Sequence, residues 1–300
     1  MPVVGFLNSR AANDTPQLLA AFRQGLKDAG FVEGQNVAIE YRFGDNRNER
    51  LPALAADLVH RQVTLIVATT TEAALAAKAA SATIPIVFTS GGDPVRMGLV
   101  ASLNRPGGNA TGVTSLGLEV SPKRLELLHE LIPAASVIAL LVDPTDPPLA
   151  EGQRSSAVSA ARAFGLKLHV LNASTERDFD GVFTSLSQLR AGGLVIAAHA
   201  FFTSHSEQLG ALAARHAVPA VYGNREFVTA GGLASYGGSL TDAYRLTGVY
   251  AGRILKGKKP GELPVQQSTK VEMFLNLKAA KALGITVPLP LLGRADEVIE

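Results

Sequence analysis

Short runs rich in Val, Ile and Leu alternate along this chain with longer segments of helical periodicity, and the alternation occurs twice. Buried strands that are separated by helices pair in parallel, with the helices packed on both faces of the sheet. In the first half, the predicted strands are residues 3–7, 37–42, 64–68 and 85–88. In the second half, they are residues 137–142, 166–171, 194–197 and 220–222. The pattern predicts an α/β fold made of two Rossmann-like lobes.

The segment FTSGGDPVRMGLVASLNRPGGNATGVTSL links the two halves. Asp93 and Pro94 have the residue types of an N-cap and a first helical residue. They predict a helix over residues 93–103, whose apolar face carries Val95, Leu99, Val100 and Leu103. We expect the Gly-rich turn that follows to end this helix, and a further strand to lead into the second half.

The composition excludes several classes of function. Lys plus Arg number 28 against 26 Asp plus Glu, and no basic run is longer than the patch at 256–259, so no nucleic acid is expected as a partner. The absence of cysteine rules out disulfides, a thiolate nucleophile and cysteine-ligated metals. No apolar stretch reaches the ~18 residues that span a bilayer, so direct membrane insertion is not expected.

Ligands of doubly wound sheets bind outside the carboxyl ends of the strands. The first-half strands end in hydroxyl-rich segments, where the candidate ligand-binding residues are Ser9, Arg10, Thr70, Thr71, Thr89 and Ser90. The second-half strands end in segments that hold most of the aromatic rings, and the candidates there are Asp146, His199, Phe201, Phe202, Tyr222, Glu226 and Tyr236. We expect the hydroxyl-rich ends and the aromatic ends to enclose a small molecule.

The uncharged candidates each have a structural alternative. Thr70 and Thr71 precede a predicted helix at 72–80, so its first N–H groups and the Thr hydroxyls are suited to hold a carboxylate. The alternative is that Thr71 only caps the helix. Phe201 and Phe202 are adjacent, and two adjacent rings cannot both enter the same core layer. They either line an aromatic slot or pack the lobe.

The charged candidates predict two kinds of ligand. Asp146 and Glu226 are suited to neutralise an amine, with a plain surface position as the alternative for Glu226. Arg10 and Arg225 are suited to hold an acidic ligand through a bidentate fork, and the ligand is then anionic. The residues alone leave both possibilities open.

No enzyme motif stands out: the chain has no Walker A loop, no GxSxG elbow and no GxGxxG after a strand. The six histidines lack metal-ligand spacing, since His199, His205 and His216 match neither HExxH nor another close pair. We therefore expect no catalytic residue, no metal and no cofactor.

Three segments carry a family resemblance: GDPVRMGLVASLNRPGGNATGVTSL, REFVTAGGLASYGGSLTDAYRLTGVYAGRILKGKKPGELPV and FLNLKAAKALGITVPLPLLGRADEVIE. The chain resembles the type I periplasmic substrate-binding proteins of ABC importers, in the subgroup similar to tryptophan/tyrosine transport binding proteins. The resemblance implies two lobes around a hinged cleft, three crossover strands and no catalysis. It also implies a monomer that delivers its small-molecule ligand to an ABC permease and its ATPase.

The resemblance places the crossovers near residues 113–118, 236–239 and 261–265. Lobe I is then residues 1–115 plus 238–262, and lobe II is residues 116–237 plus 263–300. We expect a periplasmic solute-binding protein for a small aromatic amino acid or aromatic carboxylate. The location follows from the resemblance alone, because the chain opens into a strand without a leader sequence. The alternatives are the ligand-sensing effector domain of a regulator and an α/β enzyme acting on a small polar metabolite.

Overall fold

The computed structural model describes residues 1–14, 16–115 and 120–300. These residues form two compact units, each built from separated parts of the chain. The first unit contains Met1–Ser115 and Ser239–Lys270, and the second contains the described residues from Val120 to Gly238 and then Val271–Glu300. Each unit has a mostly parallel sheet with helices, so the predicted α/β fold class is confirmed.

Within the described residues, the first unit contains a six-stranded parallel sheet. Its strands, in chain order, are β1 Val3–Asn8, β2 Ala38–Phe43, β3 Leu65–Ala68, β4 Ile86–Ser90, β5 Ala110–Thr114 and β11 Gln266–Gln267. Their spatial order is β11-β5-β4-β3-β1-β2, and every adjacent pair is parallel. The carboxyl ends of these strands therefore lie along one edge of the sheet.

The helices of the first unit are α1 Pro16–Asp28, α2 Leu51–His60, α3 Thr71–Ala80 and α10 Leu240–Leu255. Helices α1 and α10 approach closely because glycine stands where they cross. A Cβ at Gly25 would lie 1.9 Å from the Arg245 carbonyl oxygen, and a Cβ at Gly248 would lie 2.2 Å from that of Phe22. Apolar side chains of both helices share one core cluster with β1 and β3. The late helix α10 is thus part of the core of the first unit.

The second unit contains a seven-stranded sheet within the described part of the chain. Its strands are β6 Val137–Val142, β7 Lys167–Asn172, β8 Gly193–Ile196, β9 Ala220–Tyr222, β10 Ala234–Gly238, β12 Val271–Asn276 and β13 Glu297–Ile299. Their spatial order is β13-β12-β10-β9-β8-β6-β7, and only β10 and β12 pair antiparallel among these described strands.

The helices of the second unit are α4 Ser121–Leu131, α5 Pro147–Ala163, α6 Asp178–Leu189, α7 Ala200–Ser204, α8 Ser206–Arg215, α9 Arg225–Thr229, α11 Leu277–Ala282 and α12 Leu289–Leu292. They pack apolar side chains into two core clusters with the strands of the sheet. No helix among the described residues has both the length and the apolar character needed to cross a membrane.

The third passage of the chain between the units comes later than predicted. Residues 263–270 belong to the first unit and not to lobe II, because β11 pairs with β5. The crossover predicted at 261–265 is therefore wrong, and the chain leaves the first unit after Lys270. The second passage lies between Gly238 and Ser239, within the predicted range. Part of the crossover predicted at 113–118 lies outside the described residues.

The helix predicted over residues 93–103 is wrong, since turns and bends take its place. Asp93 still behaves as a cap, and its Oδ1 accepts from the Val95 N–H at 2.9 Å. Gly98 then adopts a φ of +72°, in the left-handed region, which ends the turn. The expected apolar face is split between core and surface: buried Leu99 and Val100, exposed Val95 and Leu103.

Candidate ligand-binding site

A buried hydrogen-bond network at the carboxyl end of β1 joins three elements of the first unit. The Asn8 side-chain amide donates to the Thr69 hydroxyl at 2.9 Å and to the Tyr244 hydroxyl at 3.0 Å. Tyr244 in turn donates to the main-chain carbonyl of Thr69 at 3.1 Å. These bonds tie β1 and the segment after β3 to α10, and they fix the edge where the candidate residues stand.

Two hydroxyl groups meet at the neighbouring strand ends. The side-chain oxygens of Thr71 and Ser90 lie 3.2 Å apart, and both residues are buried. Thr71 is the first residue of α3, and Thr70 is its N-cap, whose hydroxyl accepts from the Ala73 N–H at 3.3 Å. The structure brings these three predicted residues together at a helix N-terminus, where the helix dipole favours an anion.

Thr89 does not join this group. Its hydroxyl lies 2.8 Å from the hydroxyl of Thr247 on α10. Consecutive side chains of a strand point to opposite faces of the sheet, so the side chains of Thr89 and Ser90 have different neighbours. The Thr89 hydroxyl is engaged in packing α10 onto the sheet.

Ser9 and Arg10 follow β1, and both are buried. Their main chain is held from two sides. The Arg10 N–H donates to Asn8 Oδ1 at 2.8 Å, and the Asn46 N–H donates to the Ser9 carbonyl oxygen at 2.8 Å. Arg10 Nε and Nη1 have no hydrogen-bond partner among the described residues. A buried positive charge thus lies at the same sheet edge as the hydroxyl pair.

In the second unit, a buried histidine and a buried carboxylate meet beyond the ends of β8 and β6. His199 Nδ1 lies 3.1 Å from Asp143 Oδ2. The N–H and the hydroxyl of Thr145 donate to Asp143 Oδ1 at 2.8 and 2.7 Å. Burial raises the pKa of Asp143, but the interaction with His199 and the hydrogen bonds from Thr145 outweigh burial and hold that pKa below its ordinary value. The Asp143 carboxyl is therefore ionised at neutral pH.

Other charged candidates of the second unit have structural partners. Asp146 is the N-cap of α5 and accepts from the Leu149 N–H at 3.2 Å. Arg225, expected to grip an acidic ligand, instead forms a bidentate pair with Glu297 at 2.9 and 2.6 Å. Glu226 lies in the first turn of α9 and is partly buried. A carboxylate oxygen of Asp146 lies within 4.8 Å of a ring nitrogen of His199, so the structure brings these two predicted residues together.

The aromatic rings near the ends of β8 and β9 pack into a core. Phe202 and Tyr222 are fully buried in one cluster with Phe179. The Tyr222 hydroxyl donates to the His199 carbonyl oxygen at 3.0 Å. Phe201 is partly buried, with its ring centroid 5.5 Å from that of Phe179. Packing, the alternative to an aromatic slot, accounts for the contacts of Phe202 and Tyr222.

Arg124, in the first turn of α4, is a buried residue that the sequence reasoning missed. It is 1% exposed, and its Nε donates to the main-chain carbonyl of Tyr236, itself partly buried in β10, at 2.8 Å. Its guanidinium lies against Gly223, where a Cβ would be 3.0 Å from Nη2. Burial lowers the pKa of Arg124 to about 10, so it is charged at neutral pH. Helical spacing was the available signal, because Arg124 shares a face with buried Leu128 and Leu131.

Two α/β units, each with a mostly parallel sheet and joined by three passages of the chain, give the fold of the type I periplasmic binding proteins. The chain belongs to the family described as ABC transporter substrate binding protein, which matches residues 13–299. It is therefore a protein that binds a small-molecule ligand, and not an enzyme.

One curated relative and two solved structures are similar to this chain over most of its length. The tyrosine-binding protein of Clostridioides difficile (strain R20291) is 29% identical over 262 residues, which are 87% of this chain and 75% of the relative. A conserved domain protein from Vibrio cholerae has a TM-score of 0.92 at 26% identity, with 99% of both chains covered. The ABC domain from Streptococcus pneumonia, in complex with L-Trp, has a TM-score of 0.92 at 23% identity, again with 99% of both chains covered.

Proposed function

We propose that this protein captures an aromatic amino acid, or a related aromatic carboxylate, and delivers it to an importer made of an ABC permease and its ATPase. The observation that carries the ligand class is the 29% identity to a tyrosine-binding protein across 87% of this chain. A protein of the same fold holds L-Trp, a second aromatic amino acid. Binding proteins of importers work outside the cytoplasmic membrane, so the proposed location is the periplasm.

The proposed ligand contacts come from strand ends of both units, which close on the ligand by a hinge motion. In the first unit they are Ser9, Arg10, Thr70, Thr71 and Ser90. In the second unit they are Asp146, His199, Phe201, Glu226 and Tyr236. The 3.2 Å approach of the Thr71 and Ser90 hydroxyls at the N-terminus of α3 supports a carboxylate in the first unit.

The ligand class is tested on purified protein. The protein is denatured, released small molecules are identified by mass spectrometry, and Tm is measured with tyrosine, tryptophan, phenylalanine, benzoates and aliphatic amino acids. A ligand at a hundredfold excess over its Kd adds about 2.7 kcal/mol to stability, which gives a clear rise in Tm. A rise with aliphatic amino acids or sugars alone would contradict the aromatic ligand.

Transport and closure need separate measurements. A strain lacking this protein should take up less radiolabelled ligand, and the wild-type gene should restore uptake. Small-angle scattering with and without the ligand should give a smaller radius of gyration when the ligand is bound, and the mass of a monomer in both states. An unchanged radius would count against hinge closure.

A further inference from the structure

Arg10 carries a buried charge for which the described residues supply no counter-charge. The residue is 5% exposed, and its Nε and Nη1 make no hydrogen bond to any described residue. Two arginines that are more exposed than Arg10 each have a carboxylate partner. Arg42 lies 2.6 Å from Asp57, and Arg225 lies 2.6 Å from Glu297. Arg10 therefore differs from these arginines both in its burial and in its lack of a carboxylate.

A buried cation without a partner is unfavourable in a folded protein, because the water that solvated it has been removed and nothing replaces it. The guanidinium is a rigid planar fork whose parallel N–H groups match the two oxygens of a carboxylate. A carboxylate that reaches Arg10 would pair with Nη2 together with either Nη1 or Nε, because these are the two edges of the guanidinium that present parallel N–H groups. The group is thus arranged to bind an anion that is not part of the described chain.

The surroundings of Arg10 hold it in one place. Its main-chain N–H is bound to Asn8 Oδ1 at 2.8 Å, and the amide of Asn8 is bound to Thr69 and Tyr244. Strand β1 pairs with β3, and β3 pairs with β4. Arg10 at the end of β1 and the hydroxyls at the ends of β3 and β4 therefore belong to one sheet edge, which presents positive charge and donors.

The carboxylates at the strand ends of the second unit already accept hydrogen bonds from their own unit. Asp143 accepts two from Thr145 and lies 3.1 Å from His199. Asp146 accepts from the Leu149 N–H as the N-cap of α5. Arg10 thus offers a receptor for an anion, while Asp143 and Oδ1 of Asp146 accept hydrogen bonds within the second unit.

We propose that Arg10 binds the carboxylate of the ligand, and that this carboxylate rather than the amino group selects the ligand. The proposal rests on the function proposed above and narrows it to a chemical class. That class is aromatic monocarboxylic acids, with or without an α-amino group.

The test compares three probes of one ring system by calorimetry: L-tyrosine, 3-(4-hydroxyphenyl)propanoate, which lacks the amine, and tyramine, which lacks the carboxylate. The two acids should bind within tenfold of each other, and tyramine should bind at least a hundredfold more weakly. Arg10→Gln should weaken both acids by 10- to 150-fold and leave tyramine unchanged, which is the range for lost hydrogen bonds to a charged group. Arg225→Gln, which breaks a surface pair, is the matched control and should change none of the affinities.

A second readout needs no ligand. Arg10→Met removes the buried charge and keeps an apolar side chain, so the ligand-free variant should have a urea midpoint equal to or above that of the wild type. A lower midpoint would indicate that Arg10 is paired within the fold, and would overturn the proposal.

The binding outcomes separate two failures. If the wild type binds the acids and Arg10→Gln binds them equally well, the role of Arg10 is wrong while the proposed function stands. If the propanoate fails to bind and L-tyrosine binds, the amine is required and the proposed class is wrong. If neither acid binds, repetition with the tryptophan, indole-3-propanoate and tryptamine set decides between another ring system and failure of the proposed aromatic ligand itself.

Discussion

The Tyr244 hydroxyl accepts a hydrogen bond from Asn8 at 3.0 Å, although the two residues are 236 positions apart in the chain. The bond is buried and joins the end of β1 to α10. The same hydroxyl donates to the Thr69 carbonyl. The strand end that carries Ser9 and Arg10 therefore depends on a helix from the last quarter of the sequence.

Tyr244→Phe removes this hydroxyl and keeps the ring. The Thr69 carbonyl loses a donor and the Asn8 amide loses an acceptor inside the core, so the free energy of unfolding should fall by about 1–3 kcal/mol. Urea denaturation measures the loss. Tyr250→Phe is the control from the same helix, because its hydroxyl makes one partly buried bond to the Pro264 carbonyl, and the loss there should be smaller. A stability of Tyr244→Phe equal to wild type would contradict the network.

Gly237 in β10 has no room for a side chain. A Cβ there would lie 2.0 Å from the main-chain oxygen of Gly223, so Gly237→Ala should lower the free energy of unfolding by about 1–3 kcal/mol as the backbone shifts. Gly181 is the matched control, since it lies in α6 with nothing within 4 Å of its Cβ position. Gly181→Ala should raise stability by about 0.5–1 kcal/mol through helix propensity. Thermal unfolding of both variants checks the difference in sign.

The pair of Asp143 and His199 predicts a pH dependence of stability. The folded-state pKa of Asp143 lies below its ordinary value of 3.8, so the carboxylate contributes stability that is fully present above that value and is lost as the pH falls through the folded pKa. Asp143→Asn should therefore be less stable than wild type at pH 5–7, by on the order of 1–3 kcal/mol. The difference should shrink below about pH 4. Urea midpoints at a series of pH values measure it, and a difference that stays constant in acid would count against an ionised Asp143 carboxylate.

The hydroxyls of Thr71 and Ser90 are expected to bind the ligand carboxylate under the proposed function. Thr71→Val and Ser90→Ala should each reduce ligand affinity by about 1.5–3 kcal/mol, measured by calorimetry. Thr89→Val is the control, because its hydroxyl contacts Thr247 and should affect stability without affecting affinity. If Thr89→Val weakens binding as much as Ser90→Ala does, the assignment of the carboxylate to this hydroxyl pair is wrong.

Much of the fold was predictable because the spacing of apolar residues along the sequence indicates which faces of the helices and strands are buried. The strands β1 to β9 follow apolar runs, and their order along the chain required no tertiary information. The helix predicted after Asp93 does not form, and the reason is local. The apolar residues have helical spacing, but Gly98 adopts a φ of +72°, which interrupts a helix. The brief strand β11 was missed because two glutamines carry no apolar signal, and only pairing with β5 defines it.

The candidate site was less predictable because side-chain direction depends on register. Thr89 and Ser90 are adjacent hydroxyl residues at the end of one strand, and the sequence does not distinguish them. In the structure, the Thr89 hydroxyl contacts Thr247 on α10, whereas the Ser90 hydroxyl contacts Thr71. Arg124 stands among charged residues typical of an exposed helix start. Its spacing to Leu128 and Leu131 places it on the buried face of α4, but its contacts with the ends of β9 and β10 follow only from the tertiary fold. Phe202 looked suited to a pocket and instead packs in a core whose other members come from distant segments.

Both units are interrupted in the chain, and this division determines the order in which they can be completed during synthesis. When the ribosome has made the chain as far as Gly238, the first unit lacks α10 and β11, and the second lacks β12 and β13. A nascent chain of that length therefore contains two unfinished sheets. Residues 239–300 supply the missing strands of both sheets, so neither unit can reach its native state before this segment has been translated.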